Sequence, residues 1–150
     1  MASTIVPQTL TVTISEAIVL NNQPINSENQ LLITEVNEFD KRIMALPINS
    51  EVTIVAFATA VAAGTFIRGD AKYFRITNKD TVNYARIRVK KNGADAFDVR
   101  LDAGKTFMLG NAKLNTSDTA ASFATFEDAD SISGQAYDAA VDVEYVVASI

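Results

Sequence analysis

The chain has 150 residues, 13 of them basic and 18 acidic, and it contains neither cysteine nor histidine. Because thiolates and imidazoles supply most transition-metal sites and imidazole is the commonest general base, we expect no enzymatic activity, no metal site and no cofactor. The acidic balance disfavours nucleic acid as a partner, and the length fits a single domain that buries about two-thirds of its unfolded surface without disulfides.

The first eight residues are predicted to form an extended N-terminal arm, followed by one domain over residues 9–150. The arm is not typical of a secretory signal, since it has no basic region and no continuous apolar run. Ile5 and Val6 precede Pro7, which favours extended backbone. In an assembly such an arm can pair with the sheet edge of a neighbouring subunit, so Ile5 and Val6 are candidate interface residues.

The first third of the domain is predicted to consist of strands. Residues 9–14, TLTVTI, alternate strictly between Thr and apolar side chains, which indicates a half-buried strand. Residues 21–24, Asn-Asn-Gln-Pro, are predicted to form a turn. Residues 31–39 and 42–46 are predicted to form two further strands or one long bent strand, which Pro47 ends.

The most apolar segment is residues 52–67, VTIVAFATAVAAGTFI, predicted to be a buried strand followed by a loop of small residues. A helical turn over residues 56–63 is the alternative, because short apolar runs do not separate helix from strand. The segment falls short of the ~20 residues that span a bilayer, so we expect no membrane contact.

Residues 72–109 are predicted to form a β-meander with one buried face. Residues 78–83 and 102–105 carry the turn-forming side chains, and residues 106–109 form a last strand. Apolar residues alternate with polar ones, the period expected when one face is core and the other is solvent. The inward residues are predicted to be Phe74 and Ile76, then Ala85, Ile87 and Val89, then Phe97, Val99 and Leu101.

The register of the hairpin within this meander follows from the faces, since residues directly opposite one another must share a face. A two-residue turn at Asn92 and Gly93 sets Ile87 against Asp98 and mixes the faces. A three-residue loop over residues 92–94 keeps them separate, with the predicted pairs Ile87–Val99, Val89–Phe97, Ala85–Leu101 and Arg88–Asp98.

One basic stripe follows the polar face of the strand that begins at Ala85. We expect a solvated face that Asp98 and Asp102 partly neutralise, with contact to an acidic partner surface as the alternative. The members that are candidate subunit-interface residues are Arg86, Arg88 and Lys90, and Lys91 extends the stripe.

The last forty residues divide into a polar segment and a closing strand. Residues 111–134 are predicted to be an ordered loop or weak hairpin packed by Phe123, Phe126 and Ile132. Residues 137–150 are predicted to be a strand with Val141, Val143, Tyr145 and Val147 on one face. About eight to ten short strands with almost no helical periodicity are typical of an all-β antiparallel sandwich or jelly roll.

Two short motifs fit surface roles better than binding roles. Arg68-Gly69-Asp70 spells the tripeptide of integrin ligands, but a Gly turn between strands is expected there. Glu127, Asp128 and Asp130, with Asp118 nearby, offer the oxygens that calcium prefers, but their spacing is not that of a calcium loop. We therefore expect an acidic surface loop.

A longer pattern combines ITN-D--NY in one strand and turn, a short hairpin, an apolar strand, L-AG, and a final apolar strand. The matching residues are Ile76, Thr77, Asn78, Asp80, Asn83, Tyr84, Leu101, Ala103 and Gly104. This pattern resembles that of small β-sandwich structural proteins of tailed bacteriophages. The TLTVTI segment and the closing AAVDVEYVVAS segment are also similar to such proteins.

The resemblance implies a virion component without enzymatic activity, a homo-oligomer present in many copies and held by symmetric contacts. A capsid decoration or cement protein is expected, with other virion proteins such as the major capsid protein or tail proteins as further partners. A tail or neck accessory protein forming a ring or tube is one alternative. A carbohydrate-binding β-sandwich is another, although a chain with no Trp and four Tyr has few side chains to stack on sugars.

Overall fold

A computed structural model describes residues 5–91, 94–117, 122–123 and 125–150 of the chain. Within these ranges the protein is all-β and has no helix, so it has none that could cross a membrane. The strands in chain order are β1 (Gln8–Leu20), β2 (Gln23–Val36), β3 (Glu38–Leu46), β4 (Val52–Ala58), β5 (Thr65–Ile67), β6 (Ala71–Asn78), β7 (Ala85–Lys91), β8 (Ala94–Leu101), β9 (Thr106–Gly110), β10 (Asn115–Thr116), β11 (Glu127–Asp128), β12 (Ser131–Ala136) and β13 (Val141–Ser149).

Two sheets pack face to face across one hydrophobic core. The five-stranded sheet has the order β5-β4-β12-β7-β8, and the four-stranded sheet has the order β3-β13-β6-β9. Their pairings are antiparallel except for the short parallel pair of β4 and β5. The predicted all-β antiparallel sandwich is confirmed. The strand order is not that of a defined jelly roll, and the described residues form thirteen strands rather than eight to ten.

The core contains the predicted inward residues of β6, β7 and β13. Each fully buried aliphatic or aromatic side chain contributes about 1.5–3 kcal/mol of transfer free energy. Alternation was a reliable guide here because one face of each strand meets the opposite sheet and the other does not. The largest fully buried apolar side chains are Phe74, Leu46, Ile76, Ile87, Ile132, Val89, Val141, Val143 and Val147.

The hairpin of β7 and β8 has the predicted pairs but not the predicted loop. All four predicted pairs are present. Lys91 pairs with Ala94, so residues 92–93, which lie outside the described ranges, are all that separates the strands. A β-bulge shifts the register between Val89 and Lys90 and restores the correct faces. The three-residue loop is therefore wrong, because a bulge can absorb the extra residue that a two-residue turn leaves over.

The apolar segment over residues 52–67 contains two strands of the five-stranded sheet. β4 is the buried strand that the sequence predicts, and the loop of small residues leads into β5. The alternative of a helical turn over residues 56–63 is wrong, since residues 56–58 still belong to β4. β4 pairs with β12 on one side and with β5 on the other, so its backbone N–H and C=O groups are satisfied by hydrogen bonds within the sheet and not by a helical turn.

The segment over residues 111–134 is more ordered than predicted, because β12 lies between β4 and β7 inside the five-stranded sheet. Ile132 is fully buried, as predicted. Phe123 and Phe126 do not pack the segment, since they are 100% and 62% exposed. Leu114 and Ala129 anchor it instead: both are buried, and the Ala129 N–H donates a hydrogen bond of 2.9 Å to the Leu114 carbonyl oxygen.

A fully buried amide links two turns at the end of β6. The Asn78 side chain donates hydrogen bonds to the carbonyl oxygens of Asn83 at 2.9 Å and Leu101 at 3.0 Å. The Asn78 side-chain oxygen accepts a hydrogen bond from the Asp80 N–H at 2.8 Å, and the Asn78 main-chain oxygen accepts one from the Gly104 N–H at 3.1 Å. These are residues of the ITN-D--NY and L-AG pattern, so the pattern corresponds to one buried, hydrogen-bonded corner of the sandwich.

β1 and β2 form a separate antiparallel pair, the long hairpin. Asn21 and Asn22 connect them with φ of 49° and 63°, the left-handed conformation that two-residue turns need and that Asn tolerates. The predicted turn over residues 21–24 is wrong in its second half, because Gln23 and Pro24 already belong to β2. A proline is acceptable there since β2 is an edge strand.

The strands of the long hairpin are longer than predicted. β1 starts at Gln8, one residue before the predicted start of the domain, but continues to Leu20 and not only to residue 14. β2 ends at Val36 and β3 begins at Glu38, in a different sheet. Two strands are therefore present, but the break between them lies at Asn37 and not at residues 40–41, which belong to β3.

Candidate assembly surface

The outer half of the long hairpin, residues 13–30, is uncovered on both faces. Every residue of this distal hairpin is exposed, whereas the base of the hairpin contains half-buried and buried side chains. An isolated two-stranded hairpin is marginally stable in water at best, and its two free edges can pair with other chains. A surface of this kind is typical of a segment that binds a neighbour.

One face of the distal hairpin is apolar on its β1 side and at Ile25, whereas Ser27 and Asn29 on the same face are polar. Ile18 lies directly opposite Ile25, and both are more than half exposed. Residues at every second position share a face, so Ile14 and Leu20 belong to the same face. Glu16 interrupts this apolar face between Ile14 and Ile18.

The same face is buried where the hairpin meets the body. The base residues Leu10, Val12, Leu31, Ile33 and Val36 form a second apolar cluster with Tyr73, Val146, Ala148, Met108 and Ile150 on the outer side of the four-stranded sheet. Gly110 allows this close approach, because a Cβ at that position would lie 2.5 Å from the Leu31 Cδ2 atom. The apolar face thus continues from a covered base into an uncovered tip.

The long hairpin carries negative charge only. Its charged residues are Glu16, Glu28 and Glu35, and the first basic residue of the chain is Lys41. Glu16 lies on the apolar face, while Glu28 lies on the opposite face, since it pairs with Ser15. A partner surface that combines apolar side chains with a cation would complement the Glu16 face.

The outer face of β3 has the complementary pattern. Phe39 and Ile43 are 55% and 65% exposed. They lie opposite Ala148 and Glu144 on the outer side of β13, and Lys41 lies between them opposite Val146. Lys41 is 57% exposed and its Nζ is 3.7 Å from the Glu144 carboxylate, which also pairs with Arg75 at 2.8 Å. The hydrogen bond from Arg75 holds the pKa of Glu144 below its usual value.

The predicted interface residues of the N-terminal arm lie beside this strand. Ile5 and Val6 precede β1 and are 64% and 68% exposed. Ile5 borders an open cavity of about 550 Å³ that Phe39, Asp40 and Tyr145 also line. Their role in subunit contacts stays a prediction.

The polar groups of that cavity bind one another. The Tyr145 hydroxyl donates to Asp40 Oδ2 at 3.0 Å, and the Arg42 Nε donates to Asp40 Oδ1 at 3.1 Å. Burial raises the pKa of Tyr145, so its hydroxyl stays protonated at neutral pH. The arrangement is that of a satisfied structural cluster.

Three members of the predicted basic stripe, Arg86, Arg88 and Lys90, lie on the outer face of the five-stranded sheet and pair with two carboxylates. Lys91 is buried, so its place in a solvated stripe was predicted wrongly. Asp98 accepts hydrogen bonds from both Arg86 and Arg88, with the Arg88 Nε at 2.8 Å. Hydrogen bonding from Arg88, then from Arg86, holds the pKa of Asp98 below its usual value. Asp102 binds Arg100 at 2.7 Å and not the stripe, which corrects the predicted pairing.

Glu51 is the second carboxylate, and it was not predicted from the sequence. It pairs with Lys90 at 2.6 Å and with Arg88 at 2.8 Å, and the Ser133 hydroxyl donates to it. The Lys90 and Ser133 hydrogen bonds lower the pKa of Glu51. Arg88, Lys90 and Glu51 thus form a compact ionic network, and the role of Arg86, Arg88 and Lys90 at a subunit contact stays a prediction.

The integrin-type tripeptide forms part of the body surface. Arg68 makes an ion pair with Asp130, and only 28% of its side chain is exposed. Gly69 has φ of 86°, and its carbonyl oxygen accepts from the Lys72 Nζ at 2.6 Å. The arginine is therefore held against the body by an acidic residue of the chain itself.

The acidic loop is paired with cations of the protein. Glu127 lies 3.4 Å from the Lys91 Nζ, and Asp130 pairs with Arg68. Asp118 lies outside the described residues. Within the described ranges no group of three or more acidic side chains is arranged to hold a metal ion.

One exposed aromatic side chain bears on sugar binding. The Tyr137 and Tyr84 rings are stacked with centroids 4.8 Å apart, and the Arg100 guanidinium covers the Tyr84 ring at 3.9 Å from its centroid. Both faces of Tyr84 are thus occupied, and Tyr137, 67% exposed, offers one free face. This stack therefore offers one aromatic face to a sugar ring.

No protein-family model matches the chain, and no curated protein sequence is significantly similar to it. The functional assignment therefore depends on the residue pattern and on the geometry of the exposed surfaces.

Proposed function

We propose that the chain is a non-enzymatic structural component of a bacteriophage virion, a capsid decoration or cement protein that assembles through symmetric contacts. The observation that carries this proposal is the distal hairpin, an apolar-faced extension uncovered on both sides. Projecting segments of this kind bind a neighbour by burying apolar side chains and pairing free strand edges.

The body of the protein supports the same role. A densely packed sandwich core and paired surface charges suit a rigid building block. The buried Asn78 corner coincides with the sequence pattern that resembles phage structural proteins. Partners are further copies of the chain and other virion proteins, such as the major capsid protein.

The proposal is tested on purified virions of the phage that encodes the chain. Particles banded on a density gradient are probed with an antibody against the protein and imaged with gold label. We expect the protein to band with the particles and the label to decorate the capsid. Recovery only in the unassembled fraction of the lysate would overturn the virion role.

The same image separates the capsid role from the alternative of a tail or neck accessory protein. Label confined to the tail or neck would replace the capsid assignment with that alternative. The size of the isolated protein gives a second criterion, since a defined trimer favours decoration of a capsid, whereas a larger ring or polymer favours a tail.

A further inference from the structure

We infer that the distal hairpin of one copy binds the outer face of β3 on a second copy, with Ile14 and Ile18 against Phe39 and Ile43 and with Glu16 facing Lys41. This inference deepens the proposed function and rests on its assembly part, because it names the partner surface. It concerns the isolated protein and needs no particle.

The two rows of side chains have the same spacing. Ile14, Glu16 and Ile18 occupy every second position on one face of β1, and Phe39, Lys41 and Ile43 do the same on β3. Alternate residues of a strand are about 6.8 Å apart in both cases. An apolar, acidic, apolar row therefore meets an apolar, basic, apolar row with the same repeat.

The two rows also carry opposite charges. The long hairpin contains carboxylates and no cation. On β3, Lys41 is the exposed cation between two exposed apolar side chains, and Glu144 keeps Arg75 at 2.8 Å when Lys41 turns to another carboxylate. Lys41 can thus pair with Glu16 without leaving Glu144 unpaired.

Neither row is covered within its own copy. The base of the long hairpin is fixed on Tyr73, Val146 and Ala148 of its own body, and residues 13–30 are exposed throughout. The outer residues of β3 are exposed too. Within one copy each row is left open, so a second copy can cover both.

The possible contact area reaches the lower end for a stable interface. The strand residues 13–20 span about 27 Å and the hairpin is about 12 Å wide with its side chains, which gives a face of roughly 300 Å². Two hairpins exchanged reciprocally remove at most this area four times, up to about 1,200 Å², because Val146 and Ala148 beside β3 are already covered by the hairpin of their own copy. A reciprocal exchange also gives the same patch on both copies, as two-fold contacts require.

The experiment is a charge swap on the purified full chain, with oligomeric state measured by sedimentation over a range of concentrations. We expect the unchanged protein to self-associate and Glu16→Lys or Lys41→Glu to weaken association by on the order of tenfold or more, because a like-charge contact replaces a pair. The double variant should recover most of the affinity. Glu28→Lys, the same charge change on the opposite face, should associate like the unchanged protein.

Circular dichroism and melting temperature establish that every variant is folded. The inference is overturned if the unchanged protein is monomeric at all concentrations, if Glu16→Lys and Glu28→Lys behave alike, or if the double variant fails to recover. A protein that is monomeric at all concentrations but still bands with virions would leave the proposed function intact and would rule out the outer face of β3 as the partner surface. If the charge-swap variants associate as expected but no protein is found in virions, the contact between the distal hairpin and β3 would stand and the proposed virion role would be overturned.

Discussion

The Asn78 amide nitrogen lies 3.0 Å from the Leu101 carbonyl oxygen and binds it across the end of the sandwich core. The two residues are far apart in sequence, yet this bond and the one to Asn83 fix the turn after β6 to the turn after β8. Because Asn78 is fully buried, water cannot replace either bond when the amide is removed.

We therefore expect Asn78→Ala to lower the free energy of unfolding by about 3 kcal/mol, since each abandoned buried acceptor costs roughly 1–3 kcal/mol. Asn78→Asp is the matched variant. At neutral pH its carboxylate would face two carbonyl oxygens, whereas the protonated acid can donate to one of them. Denaturant unfolding at pH 7 and pH 4 should show a smaller loss for Asn78→Asp at the lower pH. Equal losses at both pH values would contradict the assigned donors.

The faces of the β7–β8 hairpin are tested by a pair of neighbouring substitutions. Ile87→Asp should prevent folding, because an unpaired carboxylate in the core costs several kcal/mol against a typical stability of ~5–15 kcal/mol. Arg88→Ala should cost about 1–2 kcal/mol, since Asp98 and Glu51 keep Arg86 and Lys90. Thermal melting monitored by circular dichroism measures both. Similar melting temperatures for the two variants would mean that the faces are assigned wrongly.

Gly134 tests how tightly the centre of the sandwich is packed. A Cβ at this position would lie 3.0 to 3.2 Å from the Cδ1 atoms of Leu46, Ile54 and Ile87. We expect Gly134→Val to cost about 1–3 kcal/mol through overpacking. Gln135→Val, one position away on the outer face, is the control and should change the unfolding midpoint little. A neutral Gly134→Val would show that the opposing side chains rearrange freely.

Stability should fall as the solution is acidified. Asp98 and Glu51 have pKa values below their usual range because Arg88 and Lys90, respectively, donate hydrogen bonds to their carboxylates. The stabilisation is therefore complete above the unfolded pKa values near 4 and is lost as pH falls through the lower folded values. Melting temperature measured from pH 6 to pH 2 should decline below about pH 5. Asp98→Asn should decline less, and a curve parallel to that of the unchanged protein would argue against this contribution.

The N-terminal arm should act in assembly and not in folding. Deleting residues 1–6 removes Ile5 and Val6, which are exposed, so we expect the melting temperature in dilute solution to stay nearly unchanged. Incorporation into oligomers or particles should weaken, because Ile5 and Val6 are no longer present to be buried against a neighbouring subunit. Assembly equal to that of the full chain would identify the arm as a tail without function.

The sequence predicts the strands whose faces differ most in environment. Phe74, Ile87 and Val143 are correctly placed because a period of two is unambiguous when one face is core. The register of β7 and β8 follows from the same rule even though the turn length does not. These predictions need only local pattern and the requirement that opposite residues share a face.

The distal hairpin could not be predicted in this way, because neither of its faces is buried and its sequence therefore lacks a regular alternation of apolar and polar residues. Residues 26–30 are polar, and the apolar tip looks like a strand of the core until its neighbours are known. Glu51 was missed for a different reason, since it is 37 residues from Arg88 in sequence. Phe123 and Phe126 were misassigned because hydrophobicity was taken as burial.

The central positions of both sheets have a consequence for synthesis. β12 lies between β4 and β7, and β13 lies between β3 and β6, so strands that are synthesised after their neighbours complete both layers. Until they emerge, the preceding strands have their inner edges open and their contacts at long sequence separation, which slows folding. The pairing of β1 with β2, by contrast, is local in sequence and can begin while the rest is still being translated. An emerging chain would thus present the distal hairpin, which we propose binds a second copy, before it has a closed body, and copies translated side by side on one message would be the first that it meets.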